Sequence, residues 1–141
     1  MHRAETILNA IETALTGLTT TGANVERGRV YSVDITPSLS IEMGNDEAIL
    51  TNFSKQDRAL DVVITSYTKS TANTETQSNA IRAEVYAALM NDRTLGLSFV
   101  SNIFLENDLS PQLSGEGGER ISTQALNYIV NYRHSLTNAE G

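Results

Sequence analysis

The chain contains no cysteine among its 141 residues, and it has no long apolar run. Without cysteine it forms no disulfide, no thiolate metal site and no cysteine nucleophile. A membrane-spanning helix needs about 18–20 consecutive apolar residues, and no stretch approaches that length. The first residues are charged and amphipathic, unlike the apolar core of a secretory signal. We therefore expect neither a disulfide framework nor a membrane segment.

Positive charge is scarce, since 10 basic residues face 17 acidic ones and the net charge is −7. Broad nucleic-acid binding requires clustered positive charge that displaces counterions, so this balance argues against it. It argues equally against binding to an anionic membrane surface. Arginine outnumbers lysine eight to two. The guanidinium group suits paired, partly desolvated subunit contacts, although codon composition can produce the same bias.

Residue sets that would support catalysis or metal binding are also missing. His2 and His134 are the only imidazoles, and neither has a second histidine at metal-ligand spacing. The acidic runs at 45–47 and 106–108 offer oxygen ligands, but a twelve-residue calcium loop is absent, which favours solvated turn acids. The glycines of 114–118 lack the Lys-Ser/Thr pair of a phosphate loop and favour a hairpin turn. We expect no enzyme activity, no cofactor and no metal.

The periodicity of apolar residues predicts the elements of the first third of the chain. Residues 2–18 keep the spacing of an amphipathic helix. Residues 25–35 are weakly strand-like until Pro37 interrupts them, and residues 39–43 alternate as a second short strand. Residues 44–55 are mostly polar and lack periodicity, so we predict a long, mobile connection there.

The stretch 57–105 carries the strongest pattern: a strand, a turn, a helix, a short loop and a strand. Residues 57–68 alternate as a half-buried strand. Thr74 and Gln77 are spaced as a capping box that opens a helix. Ile81, Val85 and Leu89 then form one buried helical stripe, and residues 91–96 end it. The next strand contains the following apolar residues: Phe99, Ile103 and Leu105.

The last third contains a turn, a strand and a tail. Residues 107–118, with one proline and three glycines, predict an extended turn. Residues 120–134 predict the final strand, and residues 134–141 a frayed tail. We expect one domain, 1–141, of the α+β class, with a mainly antiparallel sheet and two helices packed on one face. The expected core is Leu60, Val62, Ile64, Val85, Leu89, Leu126, Tyr128 and Val130.

The second face of the predicted sheet is polar. Asp57 and Asp61 share it, but residues i and i+4 on a strand lie ~13 Å apart, too far for one reacting bond. Each carboxylate can instead pair with an arginine, either within the sheet or across a subunit boundary. We predict that at least one such pair crosses the boundary, with Asp61 the first choice. The candidate interface residues are Asp57, Asp61, Arg27, Arg29 and Arg133.

Three stretches resemble the tail terminator family, the ring-forming minor tail proteins of lambda-like and related tailed phages. They are the first helix at 3–11 (RAETILNAI), the stretch 61–97, and the closing strand at 125–133 (ALNYIVNYR). The middle stretch runs from DVVI through AIRAEVYAAL to TLGL. Residues 44–55 have no counterpart in the resemblance.

The resemblance implies a hexameric ring at the head-proximal end of the tail, assembled in the host cytoplasm. Such a ring caps the polymerised tail tube, stops its elongation and presents its other side to the head-neck connector. DNA would pass through its channel without sequence-specific binding, and a negative or neutral lining suits that passage. Another neck protein, for head closure or connector completion, is the nearest alternative. A small ligand-binding α+β domain is the alternative from another class, and a compact apolar pocket would favour it.

Overall fold

The computed structural model describes residues 1–28, 37–69, 74–114 and 121–140. Its elements are α1 Arg3–Leu15, β1 Val25–Arg27, β2 Ser38–Thr51, β3 Lys55–Lys69, α2 Thr74–Met90, β4 Val100–Asp108, β5 Gln112–Ser114 and β6 Ile121–Ser135. Within the described ranges, both helices pack on one face of a six-stranded, mostly antiparallel sheet. The predicted α+β class is confirmed.

The strand order is β1-β2-β3-β6-β4, and β5 pairs with β6 beyond the end of β4. Among the described strands, β1 and β2 form the one parallel pair. The central strands β3 and β6 pair along their whole length, from Lys55 opposite Ser135 to Lys69 opposite Ile121. Because side chains alternate across a strand, this ladder presents one face to the helices and the other away from them.

The hydrophobic core lies between the helices and the sheet. Each helix buries one stripe, which includes Ile7 and Ile11 on α1 and Val85 and Leu89 on α2. Burying such side chains contributes about 1.5–3 kcal/mol each. All eight residues predicted for the core are buried, with relative exposures of at most 1%. The predicted core is thus confirmed.

Both helices begin and end near the predicted positions. Helix α1 is shorter than the predicted 2–18, because His2 caps it and Gly17 adopts a left-handed φ of +94°. The Ala4 N–H donates to Nδ1 of His2 at 2.9 Å. Helix α2 begins at Thr74 as expected. The Thr74 side chain lies outside the described part of the chain, so the capping box stays a prediction.

The predicted long connection at 44–55 is wrong. Strand β2 continues to Thr51, and only residues 52–54 turn before β3 begins at Lys55. Two register shifts, between Met43 and Asp46 and between Ala48 and Leu50, break the alternation that a sequence pattern would show. This half of β2 is also largely exposed, so its polar composition reflects an edge of the sheet rather than a loop.

Three further expectations need adjustment. Of the strand predicted at 25–35, residues 25–27 form β1, whereas 29–36 lie outside the described residues. The turn predicted at 107–118 contains β5, and its residues 115–120 are likewise not described. The tail, which we expected to fray, folds back, and its Ala139 carbonyl accepts the Arg3 N–H at 3.1 Å.

Candidate assembly surface

The face of the sheet that points away from the helices carries both polar and apolar side chains, and none of the described elements covers it. Asp57 and Asp61 lie on this face of β3, as predicted, between the buried residues of the opposite face. On β6 the same face alternates with the buried residues Leu126, Tyr128 and Val130. The side chains that share this open face on β6 are Ala125, Asn127, Ile129, Asn131 and Arg133.

Asp57 and Arg133 pair within the sheet. They are register partners on β3 and β6, and Nε and Nη2 of Arg133 donate to the two carboxylate oxygens at 2.6 and 3.2 Å. The hydrogen bond from Arg133 lowers the pKa of Asp57 below its ordinary value, and the same bond raises the pKa of Arg133. Of the two pairings left open for Asp57, the structure shows the one inside its own subunit.

Arg27 is also engaged inside its own subunit. Its guanidinium donates to both Glu5 carboxylate oxygens at 3.2 Å and to Asn9 Oδ1 at 2.9 Å. This contact joins β1 to helix α1. Arg29, another interface candidate, lies outside the described residues. Two of the three candidate arginines are thus already held by acids of the same chain.

Asp61 differs from Asp57, because within the described ranges no arginine or lysine forms an ion pair with it. It lies opposite Ile129 and beside the bulge of β2 that contains Gly44. A Cβ added at Gly44 would stand 3.0 Å from the Asp61 Cβ. Glycine therefore allows β2 to pass close to Asp61. Asp61 itself is half-buried.

A hydrogen-bonded cluster around Asp46 ties β2, β3 and β6 together. The Tyr132 hydroxyl donates to Asp46 Oδ2 at 2.6 Å, and Arg58 Nε donates to Oδ1 at 2.8 Å. Arg58 Nη2 also donates to the Asp46 carbonyl at 2.7 Å. Burial is the main cause that raises the pKa of Tyr132, and Asp46 adds to it. The runs at 45–47 and 106–108, considered above as calcium ligands, thus contain acids bonded to arginine, since Arg82 binds Asp108 at 2.9 Å.

The turn between β2 and β3 exposes large apolar side chains. Asn52 shapes it, since its Oδ1 accepts the N–H groups of Ser54 and Lys55 at 3.0 and 2.8 Å. Ile49 and Leu50 are about 60% exposed, and Phe53 is fully exposed. We call residues 49–55 the hairpin tip. Sequence reasoning missed this surface because it treated the segment as a connection.

A groove opens in the helix layer, between the second halves of α1 and α2 and the loop that follows α2. Its volume is about 720 Å³. Glu84 forms part of its wall and accepts the N–H of Thr20 at 2.8 Å, and Asp92 accepts the Thr94 N–H at 3.0 Å. We call this feature the helix groove. Its apolar lining consists of Ala10, Ala14, Leu18, Ala87, Ala88 and Leu95.

The two histidines, separated by most of the sequence, come together in space. Their ring centroids lie 6.2 Å apart, with His2 at the start of α1 and His134 at the end of β6. Among the described residues, no three histidine, cysteine or acidic side chains are placed to hold a metal ion. No helix in these ranges is long and apolar enough to cross a membrane.

Comparison with known proteins gives a similarity of fold. No family model matches the chain, and no curated protein resembles it in sequence. The structure is similar to a chain in a solved structure titled "Virion of native gene transfer agent (GTA) particle". The TM-score is 0.50 at 15% sequence identity, and the match covers 94% of this chain and 87% of that one. At this level of identity the likeness shows a shared fold.

Proposed function

We propose that this chain is a virion structural protein and, more specifically, a tail terminator. In this role it caps the polymerised tail tube, stops its elongation and presents an interface to the head-neck complex. The observation that carries the proposal is a fold shared, over 94% of the chain, with a component of a virion. The resemblance of residues 61–97 and 125–133 to tail terminators supports the finer assignment.

The described surfaces favour assembly over catalysis. The acids examined above form ion pairs with arginine or line open surfaces. The helix groove is wide open, unlike the enclosed apolar pocket that a ligand-binding domain would need. Polar sheet faces that no helix covers are available to water or to a partner subunit.

The proposed partners are further copies of the chain, in a hexameric ring, the tail tube protein and the head-neck connector. Net charge of −7 suits a channel that DNA must leave as easily as it enters, because a basic lining would hold the phosphates. Asp61 remains the first candidate for a contact across the subunit boundary. Asp57, Arg27 and Arg133 are weaker candidates, since each already has a partner in its own subunit.

The experiment is electron microscopy of particles from a phage that lacks this gene. We expect tail tubes of uncontrolled length that do not join heads, because nothing stops addition of tube subunits. Supplying the wild-type chain in trans should restore normal tails. Normal-length tails attached to heads would contradict the proposal. Normal-length tails that fail to join heads would instead support a neck protein that acts in head closure or connector completion.

A further inference from the structure

We propose that the hairpin tip of one copy docks into the helix groove of a second copy of this chain. This identifies two complementary surfaces of a subunit contact, and it rests on the proposed function because a ring requires such a contact. The tip provides bulky apolar side chains and a cation. The groove provides an apolar floor and two carboxylates.

The hairpin tip has the exposure of a surface that is covered in an assembly. Phe53 has a relative exposure of 104%, so it is fully exposed to solvent in its own subunit. Ile49 and Leu50 add two large apolar side chains within five residues of it. Isolated exposed apolar residues are ordinary, whereas three large ones within five positions of the chain indicate an interaction surface. Removing apolar area from water contributes roughly 25 cal/mol per Å², so covering this group favours association.

The helix groove has the matching shape. Most of its lining is alanine, glycine and threonine, which leaves space between the two helices, and Leu18 and Leu95 provide larger apolar contacts. The groove, of about 720 Å³ and open to solvent, has room beside its short side chains for longer ones from a partner. The tip offers long side chains where the groove offers short ones.

The charges of the two surfaces are opposite. Lys55 ends the hairpin tip and is exposed, and residues 49–55 contain no acid. The charged residues that line the groove are Glu84 and Asp92, both acidic. Thr20 fixes Glu84, and Thr94 fixes Asp92, so the carboxylates are held in place before a partner arrives. Complementary charge of this kind favours the correct partner and speeds encounter.

The hairpin tip and the helix groove are unlike surfaces in different layers of the molecule. A contact between unlike surfaces determines the kind of assembly that forms. The tip joins two strands, and its backbone meets the end of β6 through the pairing of Lys55 with Ser135 and the bond from the Leu136 N–H to the Ser54 carbonyl. The groove is built by helices and their following loops. A contact between unlike surfaces repeats head to tail, and it gives a ring when the rotation closes.

Cross-linking in the cysteine-free chain tests the docking directly. The variants Phe53→Cys and Ala87→Cys each carry one thiol, at the tip and in the groove. Mixed at rising concentration with a short bis-maleimide, they should form cross-linked heterodimers several-fold more than a control mixture of Phe53→Cys with Glu75→Cys. Glu75 is exposed at the other end of the same helix. Equal yields in the two mixtures, or no product at any concentration, would overturn the docking.

A second experiment distinguishes failure of the docking from failure of the proposed function. Phe53→Ser combined with Leu50→Ser should leave the melting temperature unchanged and reduce assembly in native mass spectrometry. Leu109→Ser, which is 47% exposed elsewhere, should leave assembly unchanged. Tails of uncontrolled length in the deletion phage, together with full assembly of the double variant, would contradict the docking and support the tail-terminator function. Cross-links between tip and groove, together with normal tails in the deletion phage, would support the docking and contradict the tail-terminator function.

Discussion

At the scale of single residues, the acidic side chains on the sheet fall into two groups. Some have an ion-pair partner within the subunit, and others have none among the described residues. Asp57 has Arg133, and Asp46 has Arg58 and Tyr132. An exposed ion pair such as Asp57–Arg133 adds little to stability because water competes for both partners. Their clearer effect here is orientation, since each pair fixes side chains on neighbouring strands. Asp61 has no such partner among the described residues, which is why it stands out as an interface candidate.

The Asp57–Arg133 pair makes stability depend on pH. Because Arg133 lowers the pKa of Asp57 in the folded chain, its contribution is fully present above the unfolded pKa of about 3.9. It is lost as pH falls through the lower, folded value. Asp57→Asn should therefore lower the melting temperature at neutral pH, and the difference from wild type should shrink below about pH 4. Thermal melts at several pH values measure this difference.

The control for this prediction is the other half of the pair. Arg133→Gln should reproduce the pH profile of Asp57→Asn, and the double substitution should add little to either, because all three remove the same interaction. A melting-temperature difference that stays constant from neutral to acidic pH would show that the pair does not carry the effect.

At the scale of elements, the sequence patterns predicted those helices and strands whose residues alternate between the core and the surface. The alternation of β3 and β6 and the stripe of α2 were correct, because each packs one regular face on the core. The prediction missed strand β2 beyond Met43. Bulges break its two-residue period there, and its exposed side chains form no buried apolar face that a pattern could detect. The contact between Asp46 and Tyr132 joins positions 86 residues apart. No local pattern could indicate it, and the same holds for the two histidines.

Leu89 tests the helix stripe. It is fully buried in the cluster shared by both helices and the sheet. Truncation to alanine should lower the free energy of unfolding by about 2–5 kcal/mol, through lost transfer energy and the cavity left behind. Urea denaturation measures this change. Leu109→Ala, at an exposed position, should stay within about 0.5 kcal/mol of wild type. A similarly small effect at Leu89 would contradict its place in the core.

At the scale of the whole molecule, the chain has distinct sides. One sheet face is covered by helices, and no element of the described ranges covers the other. The hairpin tip and the helix groove lie in different layers, one built by strands and the other by helices. The proposed contact between these unlike surfaces would repeat head to tail. The absence of cysteine, noted first from the sequence, makes its contacts accessible to site-directed cross-linking.

The open face gives a prediction about assembly that does not depend on the hairpin tip. Asp61 is half-buried on that face, beside the bulge at Gly44 and away from the core. Asp61→Arg should therefore leave the monomer folded and block ring formation, because it places a cation where we propose that a neighbouring arginine binds. Circular dichroism melting and native mass spectrometry, run side by side, separate the two properties.

Charge reversal at an exposed residue of an edge strand, Glu106→Arg, is the matched control and should leave ring formation intact. Restoring assembly with a second substitution is a more specific test than blocking it. A second reversal at the facing arginine, tested at Arg29, Arg27 and Arg133 in turn, should recover part of the assembly that Asp61→Arg removes, because the pair is rebuilt with its signs exchanged. Rings that form normally with Asp61→Arg alone would remove Asp61 from the interface. An unfolded variant would instead assign Asp61 to the stability of its own sheet, since a residue that acts only between subunits leaves the isolated subunit folded.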